Sequence, residues 1–139
     1  MERFAVRPAL DHGEDRPSEV VDPEGSWTVY SRQLLGQPAG PAIATGLTRV
    51  VNNTADLFEF ERGEVLACDA VDPNMTLVVP LAAAIVERRG GMLIHGAIIA
   101  REYGLPCVTG IPEATTRICT GDRLDVDGQL GLVVCTRRA

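Results

Sequence analysis

Aromatic side chains make up only 4% of the 139 residues. A core with so few rings must be built from Val, Ile, Leu and Ala, which suits parallel strands covered by helices. Cysteine occurs four times, at Cys68, Cys107, Cys119 and Cys135, but never as C-x-x-C and never near a histidine at metal-ligand spacing. That excludes the common zinc and dithiol patterns, so no metal site is expected. Each cysteine sits in an apolar segment and reads as a buried, reduced thiol of a cytoplasmic protein. No apolar run approaches the roughly 20 residues of a membrane span, and no charged-then-apolar leader opens the chain. Positive charge is not clustered beyond the pairs Arg88-Arg89 and Arg137-Arg138, and the net charge is −6. Neither a nucleic-acid face nor a membrane contact is therefore expected. A phosphate remains possible, because backbone N–H groups bind one without lysine or arginine. There is no Gly-Lys-Ser/Thr, hence no Walker A loop, and no orienting partner for a Ser–His–Asp arrangement.

What is present fits one domain, long enough to bury a core without disulfides. Residues 1–24 are polar, with Pro8, Pro17 and Pro23 and mixed charge, and read as a flexible or loosely docked segment. His12 lies in it and is expected to be merely solvated. Residues 25–139 carry the domain. Trp27-Thr28-Val29-Tyr30 reads as a strand running into Leu34-Leu35, and residues 37–41 (QPAGP) as a turn-rich break. Residues 42–51 read as a strand with Gly46 at a bulge, residues 55–61 as one helical turn, and residues 64–68 as a buried strand. Asp72-Pro73-Asn74 is a cap-like turn before a short helix over 75–81. Residues 82–86 suit a strand or a helix equally.

Residues 95–103 form the clearest helix. Ile94 and Ile98, and Ile99 and Tyr103, are four apart, while Gly104 and then Pro106 supply the stop. A third short strand over 105–109 and a short helix over 112–118 follow. Residues 122–126 and 130–136 flank Asp127-Gly128-Gln129, a hairpin signal. Strands alternating with short helices point to an α/β fold closed by an antiparallel hairpin.

The chemistry centres on His95, the sole histidine outside residues 1–24. At a helix N-terminus it stands beside unpaired N–H groups and the positive end of the helix dipole, both favourable to an anion. A neutral imidazole can attack phosphorus, and the product then lies against those N–H groups. Gly96 lets a phosphoryl group or a partner approach the backbone closely, and Gly90 and Gly91 allow a sharp strand-to-helix turn.

The run Gly90-Gly91-Met92-Leu93-Ile94-His95-Gly96-Ala97-Ile98-Ile99-Ala100-Arg101-Glu102-Tyr103-Gly104, continuing to Gly110, resembles the phosphohistidine signature of the PEP-utilising enzyme mobile domain. That family includes phosphoenolpyruvate synthase, pyruvate phosphate dikinase, enzyme I of the sugar phosphotransferase system and rifampicin phosphotransferase. Gly63-Glu64-Val65-Leu66 with Asp72-Pro73, Ala84-Ile85-Val86, and Gly121-Asp122 with Val126-Asp127-Gly128 and Gly131 resemble its flanking segments, so the likeness spans about 35–134. The resemblance implies a swivelling β/β/α three-layer phosphohistidine domain. It implies His95 as the catalytic residue, Gly96, Ala97 and Arg101 as phosphate contacts, and Gly90, Gly91 and Gly104 as structural glycines. It implies no cofactor on this domain itself, with ATP and Mg on an ATP-grasp partner and the phosphoryl acceptor, pyruvate or another, on a further domain. Leu93 and Ile94 depart from the pattern, standing where many members have threonine and then serine or cysteine. That departure keeps a second reading open: a non-catalytic regulatory or binding module retaining the fold.

Overall fold

The computed structural model describes residues 5–6, 18–21, 28–90 and 95–138. His12 and the residues Gly91, Met92, Leu93 and Ile94 lie outside them. The strands are β1 (Ala5–Val6), β2 (Ser18–Val21), β3 (Thr28–Leu35), β4 (Gln37–Gly40), β5 (Ile43–Val51), β6 (Val65–Cys68), β7 (Ala84–Glu87), β8 (Cys107–Thr109), β9 (Arg123–Asp127) and β10 (Leu132–Arg138). The helices are α1 (Thr54–Leu57) and α2 (His95–Tyr103), with 3-10 turns at Pro73–Leu77 and Val79–Leu81.

The strands pair in the order β1-β2-β3-β10-β9-β5-β6-β7-β8-β4. The run β5-β6-β7-β8 is parallel, and the other pairings are antiparallel. β5 joins two sheets. Ile43 to Leu47 pair with β9, whereas Thr48 to Val51 pair with β6.

Side-chain alternation then builds three layers. Val65, Ala84, Val86 and Val108 point from the parallel strands into a core shared with Leu124, Val126 and Val133 of β9 and β10. Leu66, Cys68, Ile85 and Cys107 point the other way, into a core shared with Met75, Val79, Ala97, Ile99 and Ala100. Strands buried on both faces need continuous apolar runs, which is how VLAC reads, and AIVE as far as its closing Glu87. The result is an α/β fold with a β/β/α layering, as expected.

Several local expectations change. Residues 37–41 are not simply a break, since β4 pairs with β8 across a register shift at Pro38/Gly40. Proline is tolerated there because β4 is an edge strand. Residues 75–81 form two 3-10 turns; Asp72 accepts from the N–H groups of Asn74 and Met75, as a cap should. Residues 112–117 form turns rather than a helix, with Arg117 and Ile118 N–H both reaching Glu113 O. Gly46 marks no bulge, because its register with β9 is continuous. A Cβ there would press on Gly63 O, so the glycine serves close packing where β5 changes sheets. Within 1–24, β1 and β2 join the antiparallel sheet, β2 pairing with β3.

The hairpin signal at Asp127-Gly128 opens a four-residue loop and not a two-residue turn. Asp127 accepts from the N–H groups of Gln129 and Leu130, and Gly131 carries the positive φ, 74°. Gly128 docks against Gly40, leaving no room for a Cβ. Cys68, Cys107 and Cys135 are buried as expected, but Cys119 is exposed.

Candidate functional site

α2 is the crossover from β7 to β8, and its N-terminus lies where β7 ends. Gly96, Ala97, Ile99 and Ala100 form its buried stripe. Three of these four are among the smallest residues, which lets the helix lie close against the sheet. His95, Ile98, Glu102 and Tyr103 are exposed. The helix ends in a Schellman arrangement: Leu105 N–H reaches Ala100 O at 2.9 Å, Gly104 N–H reaches Arg101 O at 3.3 Å, and Gly104 has φ 67°. The expected helix and its glycine stop are thus both observed.

His95 is the first residue of α2 and is open to solvent. Gly96 and Ala97, the expected phosphate contacts, are buried behind it. The inner side of Gly96 is not open to an incoming group. It faces the Glu87 carboxyl, and a Cβ would overlap Glu87 Oε1. Gly96 is required by what lies beneath the helix, and only its backbone is left to serve an anion.

Arg101 is not brought to His95. Six residues on, at about 100° per residue, it lies roughly 240° around the helix. Its Nε donates to Ala39 O of β4 at 3.1 Å. There it lines a shallow depression with Pro38, Pro41, Gly128 and Gln129. Gly90 packs on Gln37 and Gly110, where a Cβ would meet Gln37 Oε1 at 3.0 Å.

Sequence reasoning passed over Glu87 and Asp69, and noted Arg88 and Arg89 only as a charge pair. Glu87 ends β7 on the same face as Ile85 and is fully buried. Its Oε2 accepts from Val71 N–H at 2.7 Å, while Oε1 has no partner among the described residues. Burial pushes this carboxyl up from its ordinary value; the Val71 N–H opposes the rise and the Asp69 charge adds to it. Asp69 accepts from Arg88 and, at 3.0 Å, from Arg89. The Arg88 hydrogen bond chiefly holds its carboxyl below the usual range. Only the charge of Glu87, at the end of an apolar strand, could have signalled it, and nothing local in the sequence says that such a group is buried.

A second polar knot stands away from α2. Asp122 is buried; burial alone would raise its carboxyl, but the Arg137 fork, Cys119 N–H and the Cys135 thiol hold it below the usual range. Arg137 Nε and Nη2 lie 2.9 and 2.8 Å from its two oxygens. Burial, with the Asp122 charge, pushes the Cys135 thiol up to about 12. Among the described residues no group of three or more His, Cys, Asp or Glu stands close enough to hold a metal ion, and no helix is long and apolar enough to cross a membrane.

A three-layer α/β domain presenting one exposed histidine at the start of a crossover helix is the class that fold and site define. The family described as PEP-utilising enzyme, mobile domain, matches residues 60–131, just over half of the chain, and the chain belongs to that family. The phosphoenolpyruvate synthase of Aquifex aeolicus is 43% identical over 103 residues, covering 72% of this chain and 12% of that protein. The rifampicin phosphotransferase of Streptomyces sviceus is 38% identical over 100 residues, 72% of this chain and 11% of its own length. Among solved structures, Enzyme I matches with a TM-score of 0.50 and 28% identity, over 57% of this chain and 33% of that one. The chain therefore spans only 3% to 15% of the length of the curated relatives it matches.

Proposed function

We propose that this chain is a phosphocarrier, the cytoplasmic phosphohistidine component of a dikinase-type phosphotransferase. A neutral ring nitrogen of His95 attacks the phosphorus of a nucleotide bound with Mg on an ATP-grasp partner. The new N–P bond forms as the P–O bond to the leaving nucleotide breaks. The domain then swings to a second site, where pyruvate or another acceptor takes the phosphoryl group and the imidazole is restored. Gly96 and Ala97 N–H groups, with the dipole of α2, stabilise the adduct. Arg101 takes part only if its guanidinium, bonded through Nε to Ala39 O on the far side of α2, turns toward the phosphate.

The observation that carries this reading is the solvent-open His95 at the first position of α2, on a helix seated by its next two residues. The phosphotransferase relatives support it. The chain incubated with its ATP-grasp partner and Mg-ATP should gain the mass of one phosphoryl group, lost in acid and absent in His95→Ala. An unchanged mass, or an adduct surviving in His95→Ala, overturns it.

The apolar Leu93-Ile94 pair favours a second reading, a binding or regulatory module. On that reading His95→Ala leaves the activity of the partner complex intact.

A further inference from the structure

The first turn of α2 has an outer side and an inner side, and each carries one ionisable group. Outside is the exposed His95; inside, against Gly96, is the Glu87 carboxyl. Glu87 is fully buried, one oxygen is held by Val71 N–H, and the other is directed at Gly96 and has no partner among the described residues. An unpaired buried carboxylate is far more costly than the protonated acid. The elements packed against Glu87 offer it no compensating charge among the described residues. β6 offers Cys68 opposite Glu87, and β8 offers Cys107, both thiols buried and pushed up by burial. The turn after β6 offers Asp69, whose negative charge opposes ionisation of Glu87 and is taken up by Arg88 and Arg89. On α2 itself, Arg101 is committed to Ala39 O. Among the described residues no cation is bound to Glu87.

We propose that Glu87 is a proton-linked positioning residue for His95: its neutral carboxyl seats the first turn of α2, and the proton on Glu87 and a phosphoryl group on His95 favour one another. This rests on the phosphocarrier reading for its second half. A phosphoryl group adds about −1.5 to −2 charges to the outer side of the turn. A carboxylate on the inner side would then face a second anion across one residue of backbone, and the like charges oppose each other. Phosphorylation therefore holds the proton on Glu87. By reciprocity, ionising Glu87 as pH rises weakens the adduct.

The test needs no partner domain. Phosphoramidate loads the isolated chain: the imidazole nitrogen attacks phosphorus, the P–N bond of the reagent breaks, and ammonia leaves with the ring proton. The carboxyl carbon of Glu87 is followed by NMR against pH, with and without the adduct, and phosphorus NMR confirms the adduct in the wild type and in Glu87→Gln. The expected result is a higher titration midpoint for Glu87 in the loaded chain. Equal midpoints in the two forms overturn the proposal. Failure of phosphoramidate to load His95 in either chain strikes the phosphocarrier reading instead. The seat is then judged by amide exchange at Ile99 and Ala100, the first N–H groups bonded within α2, corrected for the intrinsic rise of exchange with pH: their protection should fall as pH rises in the wild type and not in Glu87→Gln, and equal protection in both overturns it.

Discussion

At the scale of single residues, Gly96 and Glu87 constrain each other. Gly96→Ala forces a methyl group onto a buried carboxyl, and such overpacking costs about 1–3 kcal/mol. Urea denaturation should show that loss, and shortening the neighbour in the pair Glu87→Ala/Gly96→Ala should recover part of it.

Two buried carboxyls should give opposite pH dependences. Glu87 binds its proton more tightly in the folded state, since burial raises it. The stability it contributes is full below the unfolded value and is lost as pH rises through the folded one. Glu87→Gln should flatten that decline when urea midpoints are compared from acid to mildly alkaline pH. Asp122 is held low by Arg137 despite its burial. Its contribution is present above the unfolded value and lost as pH falls through the folded one, so Asp122→Asn should blunt the acid limb. Arg137→Ala leaves Asp122 buried without its fork, and at neutral pH should cost about 1–3 kcal/mol in the same assay.

At the scale of elements, α2 was legible because its signals are local. Gly104 and Pro106 lie just beyond the helix and set its end without reference to the rest of the chain. The four-residue spacings did not give its buried face, since Ile98 and Tyr103 are exposed and Gly96, Ala97, Ile99 and Ala100 are buried. Gly104 gives a direct check. It has φ 67° and open space around its Cβ position, so Gly104→Ala tests backbone conformation alone and should cost about 1–2 kcal/mol. β4 was illegible because Pro38, Gly40 and Pro41 carry turn chemistry, while the strand state comes from β8, which is distant in sequence. Residues 112–118 failed for the converse reason: Pro112 and the apolar spacing suit a helix, but the segment closes only turns around Glu113. Alternation within β6, β7 and β8 divides the two cores. Leu66, fully buried beneath α2, should lose about 2–5 kcal/mol on truncation to alanine, and amide exchange in α2 should quicken with it.

At the scale of the whole molecule, the histidine was readable in the sequence and its surroundings were not. His95 stood out by rarity and by its position at a helix start. The carboxyl beneath it, the arginine turned to the far side of α2 and the Asp69 pair with Arg88 and Arg89 depend on how distant strands are brought side by side. The layering was partly readable, because doubly buried parallel strands leave continuous apolar runs, whereas β1 and β2 sit in a polar stretch that has no such mark.

The position of β10 also bears on how the molecule is made. β10 lies between β3 and β9, with Val29 opposite Arg138 and Leu35 opposite Leu132. During synthesis β3 emerges well before β10, the last strand described, and must wait for it before its inner edge is filled. A sheet closed by so distant a pairing gains its contacts late and folds slowly for its size, in milliseconds or longer, against microseconds for a helical bundle. Until then β3 and β9 expose open strand edges, the surfaces on which unfinished chains associate.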